Sequence, residues 1–314
     1  MEKDTVTIVI PVYNGANYVR NAIESALAQT YSPIEIIVVN DGSNDEGATR
    51  SVVQEYCSRL SYIEKANGGV SSALNAGIAA ASGQWISWLS HDDEYEPSKI
   101  ANQVELALSY SDERFSYLYL CGGMFIDKDG HKLAKTMATE SHARYSADEM
   151  LIKMAEGYPI GGCNLLLPRQ AILECGGFDE SLRYVQDIDL WIRLFDSGYG
   201  LVASGADKDV RIRIHGEQAQ TRLRALWPAE KRIYMNRLAT YLMKLDGGYK
   251  LVSKLALHCY CWGDYGGGKG VLELLEELNL TPPNKLTLDI CKARGKCRQL
   301  ARRAYHRVVH GIQR

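Results

Sequence analysis

The chain predicts an α/β fold on a mostly parallel sheet, followed by a helical region, and three features carry that reading. Short apolar runs alternate with helical patterns through the first hundred residues. Polar clusters close three of those runs, and near residue 220 the pattern turns wholly helical. Strands spaced by helices of about 10–15 residues imply βαβ crossovers, whose ligands bind beyond the carboxyl ends of the strands.

Taken in order, Val6-Thr7-Ile8-Val9-Ile10 is a buried strand closed by Pro11, and Val19, Ala22, Ile23, Ala26 and Leu27 recur at helical spacing after it. Ile34 to Val39 forms a second strand, and Val53, Tyr56, Cys57 and Leu60 mark the helix expected next. Leu74, Ile78 and Ala81 mark a third helix before the strand Trp85 to Leu89. The polar clusters at the strand ends are Pro11-Val12-Tyr13-Asn14, Asn40-Asp41-Gly42-Ser43 and Ser90-His91-Asp92-Asp93. Adjacent carboxylates after a buried strand are hard oxygen ligands suited to Mg²⁺ or Mn²⁺ bridging to phosphates, which points to a nucleotide-dependent transferase. From Arg222 onward, Gly247-Gly248, Gly266-Gly267-Gly268 and Pro282-Pro283 punctuate helices. The expected domains are therefore 1–220 and 221–314.

At 314 residues with 46% hydrophobic content, the chain can bury a substantial core. Its net charge of -2 conceals an asymmetry: residues 1–221 hold 18 Lys/Arg and 31 Asp/Glu, while residues 222–314 hold 18 and 7, so the two parts stand at -13 and +11. The basic part suits a membrane surface or other polyanion, or complements the acidic part within the molecule. Residues 290–314 carry eight Lys/Arg and no acid beside the apolar stripe Leu300, Ala301, Ala304, Tyr305, Val308, Val309 and Ile312. Such a basic amphipathic helix lies on anionic lipid, packs within the protein, or mediates a homo-oligomer. Eight scattered cysteines without zinc-type spacing read as reduced thiols, and the charged N-terminus lacks a signal-peptide core. A cytoplasmic location, peripheral at the inner face of the plasma membrane, is expected, with no nucleic-acid partner.

Several motifs occur in a fixed order: Thr7 to Asn14, Val39 to Ser43, Asn67-Gly68-Gly69-Val70-Ser71 through Gly77, Ser90 to Asp93, Gly176-Gly177-Phe178-Asp179, and Gln186-Asp187-Ile188-Asp189-Leu190-Trp191. Across roughly residues 5–217 this set resembles the signature of the inverting family 2 glycosyltransferases with the GT-A fold, of the bacterial surface-polysaccharide type. The resemblance implies a UDP- or dTDP-sugar donor and a hydroxyl of a glycan or lipid-linked acceptor. It implies that Asp41 receives the N3–H of the base, that Pro11, Val12, Tyr13 and Asn67 frame the nucleotide, and that Asp92, supported by Asp93, holds metal and diphosphate. Ser90 stands where the family commonly has Asp, which leaves that position's ribose or metal contact open. His215 reads as a structural residue after a strand or, by resemblance, as a metal ligand beside Asp92. Asp187 reads as a helix N-cap or, by resemblance, as the general base. Leu74 replaces an Arg frequent in relatives, and Cys163 lacks the His signature of a thiol nucleophile. Two other readings remain: an inactive nucleotide-sugar-binding scaffold, and a sugar-phosphate nucleotidyltransferase, whose glycine-rich basic loop is missing, since no Lys or Arg follows Pro11 before Arg20.

Overall fold

The structure, a computed structural model, describes residues 3–205, 208–261, 264–277 and 280–311, excepting the side chains of residues 219, 220 and 301–311. It divides into two compact units: Met1–Met150 with Pro159–Arg224, and Leu151–Tyr158 with Ala225–Arg314. The first unit begins β1 (Val6–Val12), α1 (Val19–Leu27), β2 (Ile34–Asn40), α2 (Ala48–Gln54), β3 (Ser61–Glu64), α3 (Val70–Ala80), β4 (Trp85–Trp88), β5 (Glu94–Tyr95) and α4 (Lys99–Leu108). It continues with β6 (Tyr117–Leu120), β7 (Gly123–Ile126), β8 (Lys132–Met137) and β9 (Arg144–Tyr145). After α5 (Ala147–Ala155), which runs on into the second unit, come β10 (Leu165–Pro168), α6 (Arg169–Glu174), α7 (Gln186–Asp196), β11 (Gly200–Ala203), β12 (Val210–Arg213) and α8 (Ala219–Arg222).

The main sheet runs β3-β2-β1-β4-β10-β6-β11-β9, and a smaller one runs β5-β12-β7-β8. Pairing is parallel from β3 to β4, as the alternating pattern requires, but β10 enters antiparallel to both neighbours. The result is a mixed sheet. β1 is buried along its whole length, and its alternation sorts side chains to two helical layers. Val6, Ile8 and Ile10 join one core with Val19, Ala22 and Ile23 of α1 and Ile100 and Val104 of α4. Val9 points the other way, toward α3, where a Cβ on Gly77 would come within 2.4 Å of it. The helix thus approaches the sheet closely only because residue 77 has no side chain.

Val12 pairs with Asn40, so β1 and β2 end level, whereas β4 ends with Trp88 beside Val9. The chain leaving β4 therefore runs past the end of β1. One expected element is shorter than its pattern: α2 ends at Gln54, and the Tyr56 hydroxyl instead donates to Glu24 and accepts from Arg20. Tyr56 still packs against the core from the turn that follows α2, with its hydroxyl held by those charged partners.

The second unit contains α9 (Trp227–Leu242), α10 (Gly248–Cys261), α11 (Tyr265–Glu277) and α12 (Lys285–Gly311). Cys291 of α12 is buried, Arg298 donates to the Cys261 carbonyl of α10, and Tyr265 of α11 donates to the Lys292 carbonyl. Of the expected C-terminal stripe, Leu300 is exposed; Ala301, Ala304, Tyr305, Val308, Val309 and Ile312 lie outside the described side chains. Among the described residues, no helix is long and apolar enough to cross a membrane.

Candidate active site

The first part of the site forms where β2 runs out. Asp41 continues the ladder by donating its N–H to the Val12 carbonyl at 2.9 Å, and is 2% exposed. Its carboxylate accepts the Gly68 N–H (2.9 Å) and Lys65 Nζ (2.9 Å) at Oδ1, and the Gly69 N–H (2.6 Å) at Oδ2. Asn67 Nδ2 donates to the Asp41 carbonyl at 2.8 Å. A carboxylate has about four acceptor directions, so one remains on Oδ2 for a further N–H. Gly42, with φ +68°, makes the turn, since a Cβ there would lie 2.6 Å from the Asn67 nitrogen. Pro11 and Val12 are buried in β1, while Tyr13 is partly exposed and its hydroxyl donates to Asn44 at 3.4 Å. Asn14 and Asn44 tie the two loops by reciprocal side-chain bonds.

The second part is the turn after β4. Asp92 Oδ2 and His215 Nε2, distant in sequence, lie 2.9 Å apart, with side chains 13% and 10% exposed. Arg213, fully buried, holds this corner: it donates to the Asp92 carbonyl (2.9 Å), the Glu94 carboxylate, and the carbonyls of Asp127 and Lys128 (3.2 Å each). The Tyr18 ring packs against both Arg213 and His215. Asp93 faces inward, accepting the Arg213 N–H at 2.9 Å and lying 3.2 Å from Cys163 Sγ. Burial, with the charge of Asp92 beside it, pushes the Asp93 carboxyl up to about 8. Burial likewise lifts the Cys163 thiol, which also meets Ser90 Oγ at 3.3 Å, well above its ordinary range. The thiol stays protonated and is unsuited to nucleophilic chemistry. His91 packs so tightly that a Cβ on Gly15 would lie 2.5 Å from its ring, and burial holds it neutral.

The third part is the start of α7. Asp187 is partly exposed, and Oδ1 accepts the Ile188 N–H at 2.8 Å. Burial without a neighbouring cation pushes its carboxyl up to about 6. Asp189, fully buried, instead pairs with Arg193 Nε at 2.9 Å, and that guanidinium donates onward to the carbonyls of Cys175 and Gly177. The two aspartates therefore differ in setting: Asp189 is paired with a guanidinium, and Asp187 is bonded to main-chain N–H. Asn75 grips Phe178 through its N–H and carbonyl, and Ser71 donates to the Leu182 carbonyl at 3.1 Å. The segment leading to Asp187 is thus docked on α3, and Gly68 and Gly69 just before that helix bind Asp41. Trp88, Phe178 and Trp191 form an edge-to-face chain from β4 to α7. Three buried polar atoms here, Trp88 Nε1, Trp191 Nε1 and Gln186 Oε1, have no partner among the described residues. Gly162 lies beneath Trp88, where a Cβ would fall 2.3 Å from the indole.

Sequence reasoning missed Lys65 and Arg213. A lysine beside Asn67-Gly68-Gly69 and an arginine two residues before His215 were the available signals. It also gave no hint of Asp127, Asp129 and His131, whose ligand atoms lie within 4.8 Å of one another on the β7–β8 turn. This trio is a solvated turn: Asp127 Oδ1 accepts the N–H groups of Asp129 and His131, while Lys128 pairs with Asp129. Leu74 is fully buried in α3 and reaches no phosphate.

The mixed α/β sheet with its helical C-terminal region is a fold of the GT-A type, as a solved structure shows. The structure of residues 1–349 of S. aureus TarS with UDP-GlcNAc superposes with a TM-score of 0.67 over 96% of this chain and 92% of that one, at 14% identity. Residues 7–166 match Glycosyl transferase family 2. An uncharacterized glycosyltransferase of Rickettsia prowazekii is 41% identical over 81% of this chain and 76% of its own length. The chondroitin synthase of Pasteurella multocida is 30% identical over 62% of this chain and 19% of its own. The chain belongs to glycosyltransferase family 2.

Proposed function

We propose that the protein is an inverting, metal-dependent glycosyltransferase that moves a sugar from a UDP- or dTDP-sugar to a hydroxyl of a glycan or lipid-linked acceptor. The observation that carries this reading is the contrast between Asp187, whose carboxyl burial pushes up to about 6, and Asp92, paired with His215. Asp41 offers its remaining acceptor direction to the N3–H of uracil or thymine, with Asn67 bracing the loop and Tyr13 lining it. Cytosine has no N–H at that position. The nucleotide-sugar complex of TarS, which shares the fold, supports this donor class.

A carboxylate and an imidazole form a donor set that fits Mn²⁺ or Mg²⁺, and both groups retain some exposure. Asp92 and His215 would hold that ion, whose charge would offset the negative charge building on the departing nucleoside diphosphate. Asp93, buried behind Asp92 and accepting the Arg213 N–H, supports the turn. Asp187 takes the proton of the acceptor hydroxyl while that oxygen bonds to the anomeric carbon on the face opposite the nucleotide. The bond from that carbon to the diphosphate oxygen breaks in the same displacement, and configuration inverts.

The eight cysteines stand as free thiols, which supports a reducing, cytoplasmic setting beside the membrane. The test is a thermal-shift series of UDP-, dTDP-, GDP- and CMP-sugars with Mn²⁺, Mg²⁺ or chelator. Metal-dependent stabilisation by a uridine or thymidine sugar is expected. Stabilisation by none, in a folded sample with both metals, would overturn the donor assignment.

A further inference from the structure

The basic amphipathic character of the C-terminal region takes a definite form in α12. Leu286, Ile290, Ala293, Cys297 and Leu300 follow one another at helical spacings of four and three, so they share one face. That face is exposed: Leu286 is 69% accessible, Ile290 48% and Leu300 55%, with Ala293 and Cys297 also open. The opposite face is the packed one. Cys291 and Gly295 are buried there, and the helix is fastened to its neighbours through the Lys292 carbonyl and the Arg298 guanidinium. An apolar stripe turned away from the packing surface is unusual for a helix whose only task is to cover a core.

The charges flanking the stripe identify what meets it. Exposed Arg294 borders one side and exposed Lys285 and Lys296 the other, while Arg298 and Lys292 turn back to the Cys261 carbonyl and the Tyr260 ring. Asp289 is the one acid between residues 285 and 300. Cations on both shoulders of an apolar strip, on stems long enough to reach past it, suit a helix lying in the plane of a lipid headgroup layer. A second copy of the stripe is a poor occupant, because opposed copies would set arginines and lysines against one another.

We infer that residues 285–300 form an interfacial docking helix for an anionic lipid bilayer, with Leu286, Ile290, Ala293, Cys297 and Leu300 entering the headgroup boundary. The inference rests on the lipid-linked-acceptor reading for its purpose, but its geometry is independent of any donor. Juxtamembrane cations gain from the negative surface potential of phosphatidylglycerol or phosphatidylserine and lose that gain with salt.

The experiment is co-sedimentation of the full chain with vesicles of phosphatidylcholine alone or mixed with phosphatidylglycerol, at low and at about 0.5 M salt. Binding to the anionic vesicles only, weakened at least tenfold by salt and by Ile290→Glu, is the expected result. The pair Arg294→Gln with Lys296→Gln should weaken it similarly without touching the stripe. Equal binding by parent and Ile290→Glu would overturn the inference. So would a parent that ignores anionic vesicles but forms a dimer that Ile290→Glu dissolves, since the stripe would then be a contact between copies. Thermal shift with donor sugar, run on the same samples, keeps the two readings separable: donor binding without vesicle binding removes the docking helix and leaves the enzyme assignment intact.

Discussion

Replacing Asp187 by asparagine should abolish turnover and stabilise the fold together, and the second effect is the more discriminating. The carboxyl is raised from 3.8 to about 6 by burial, so the folded protein disfavours the charge that the unfolded chain carries freely. A raised carboxyl pKa means the folded state is favoured when the group is protonated, and stability falls as pH rises from below 3.8 through about 6. At about 1.4 kcal/mol per pH unit, that shift corresponds to about 3 kcal/mol above pH 7. Solvent reaching the partly exposed carboxylate reduces this to about 1–2 kcal/mol. Asparagine has the same shape without the charge, so Tm at pH 7.5 should rise by roughly 2–6 °C, and the gain should fall by about half at pH 5. Transfer to acceptor, measured with radiolabelled donor, should drop by about 10²–10⁴-fold while donor affinity stays within a few-fold. Parent activity should rise through an apparent pKa of about 6 and level above it. A variant that keeps transfer within tenfold, or whose Tm falls, would refute the assignment of Asp187 as a destabilised base.

Arg213→Lys keeps the charge but loses the planar fork, so Mn²⁺ affinity, read by paramagnetic resonance of the free ion without substrate, should weaken about 10–100-fold. Lysine matching the parent would deny that Arg213 positions Asp92. Asp41→Asn replaces the carboxylate with an amide facing three donors, and UDP affinity by calorimetry should fall about tenfold or more, with discrimination against CMP reduced. Retained preference would place base recognition elsewhere. Gly162→Ala drives a methyl into Trp88 and should cost about 1–3 kcal/mol in urea unfolding, with a changed indole fluorescence.

Elements with a strong local pattern were legible from sequence. The strand through Ile8 and Ile10 and the helix from Val19 to Leu27 were such cases, because burial on one or both faces writes a period into the residues. Asp41, Asp92 and Asp187 were singled out by motif, and the structure places them after β2, after β4 and at the start of α7. The side chains that hold them were less visible. Lys65 reaches Asp41 across 24 residues and Arg213 reaches Asp92 across 121, and neither pairing leaves a periodic trace. The antiparallel entry of β10 was hidden for the same reason, since pairing direction depends on how the chain returns and not on strand composition. Tyr56 shows the limit of periodicity itself: its helical spacing correctly marked a residue that packs on the core, yet the helix had already ended at Gln54.

The guanidinium of Arg213 has a consequence for how this enzyme can change over evolutionary time. It is bonded at once to the carbonyl of a residue in the reacting corner and to the carbonyls of Asp127 and Lys128 at the start of the β7–β8 turn. Since those bonds go to main-chain oxygen, the exposed side chains of Lys128, Asp129 and His131 are free to drift. The path of the backbone is not. An insertion or deletion at this turn would withdraw two acceptors from a buried cation and disturb the corner that Arg213 holds. Lineages should therefore vary the letters of this hairpin while conserving its length.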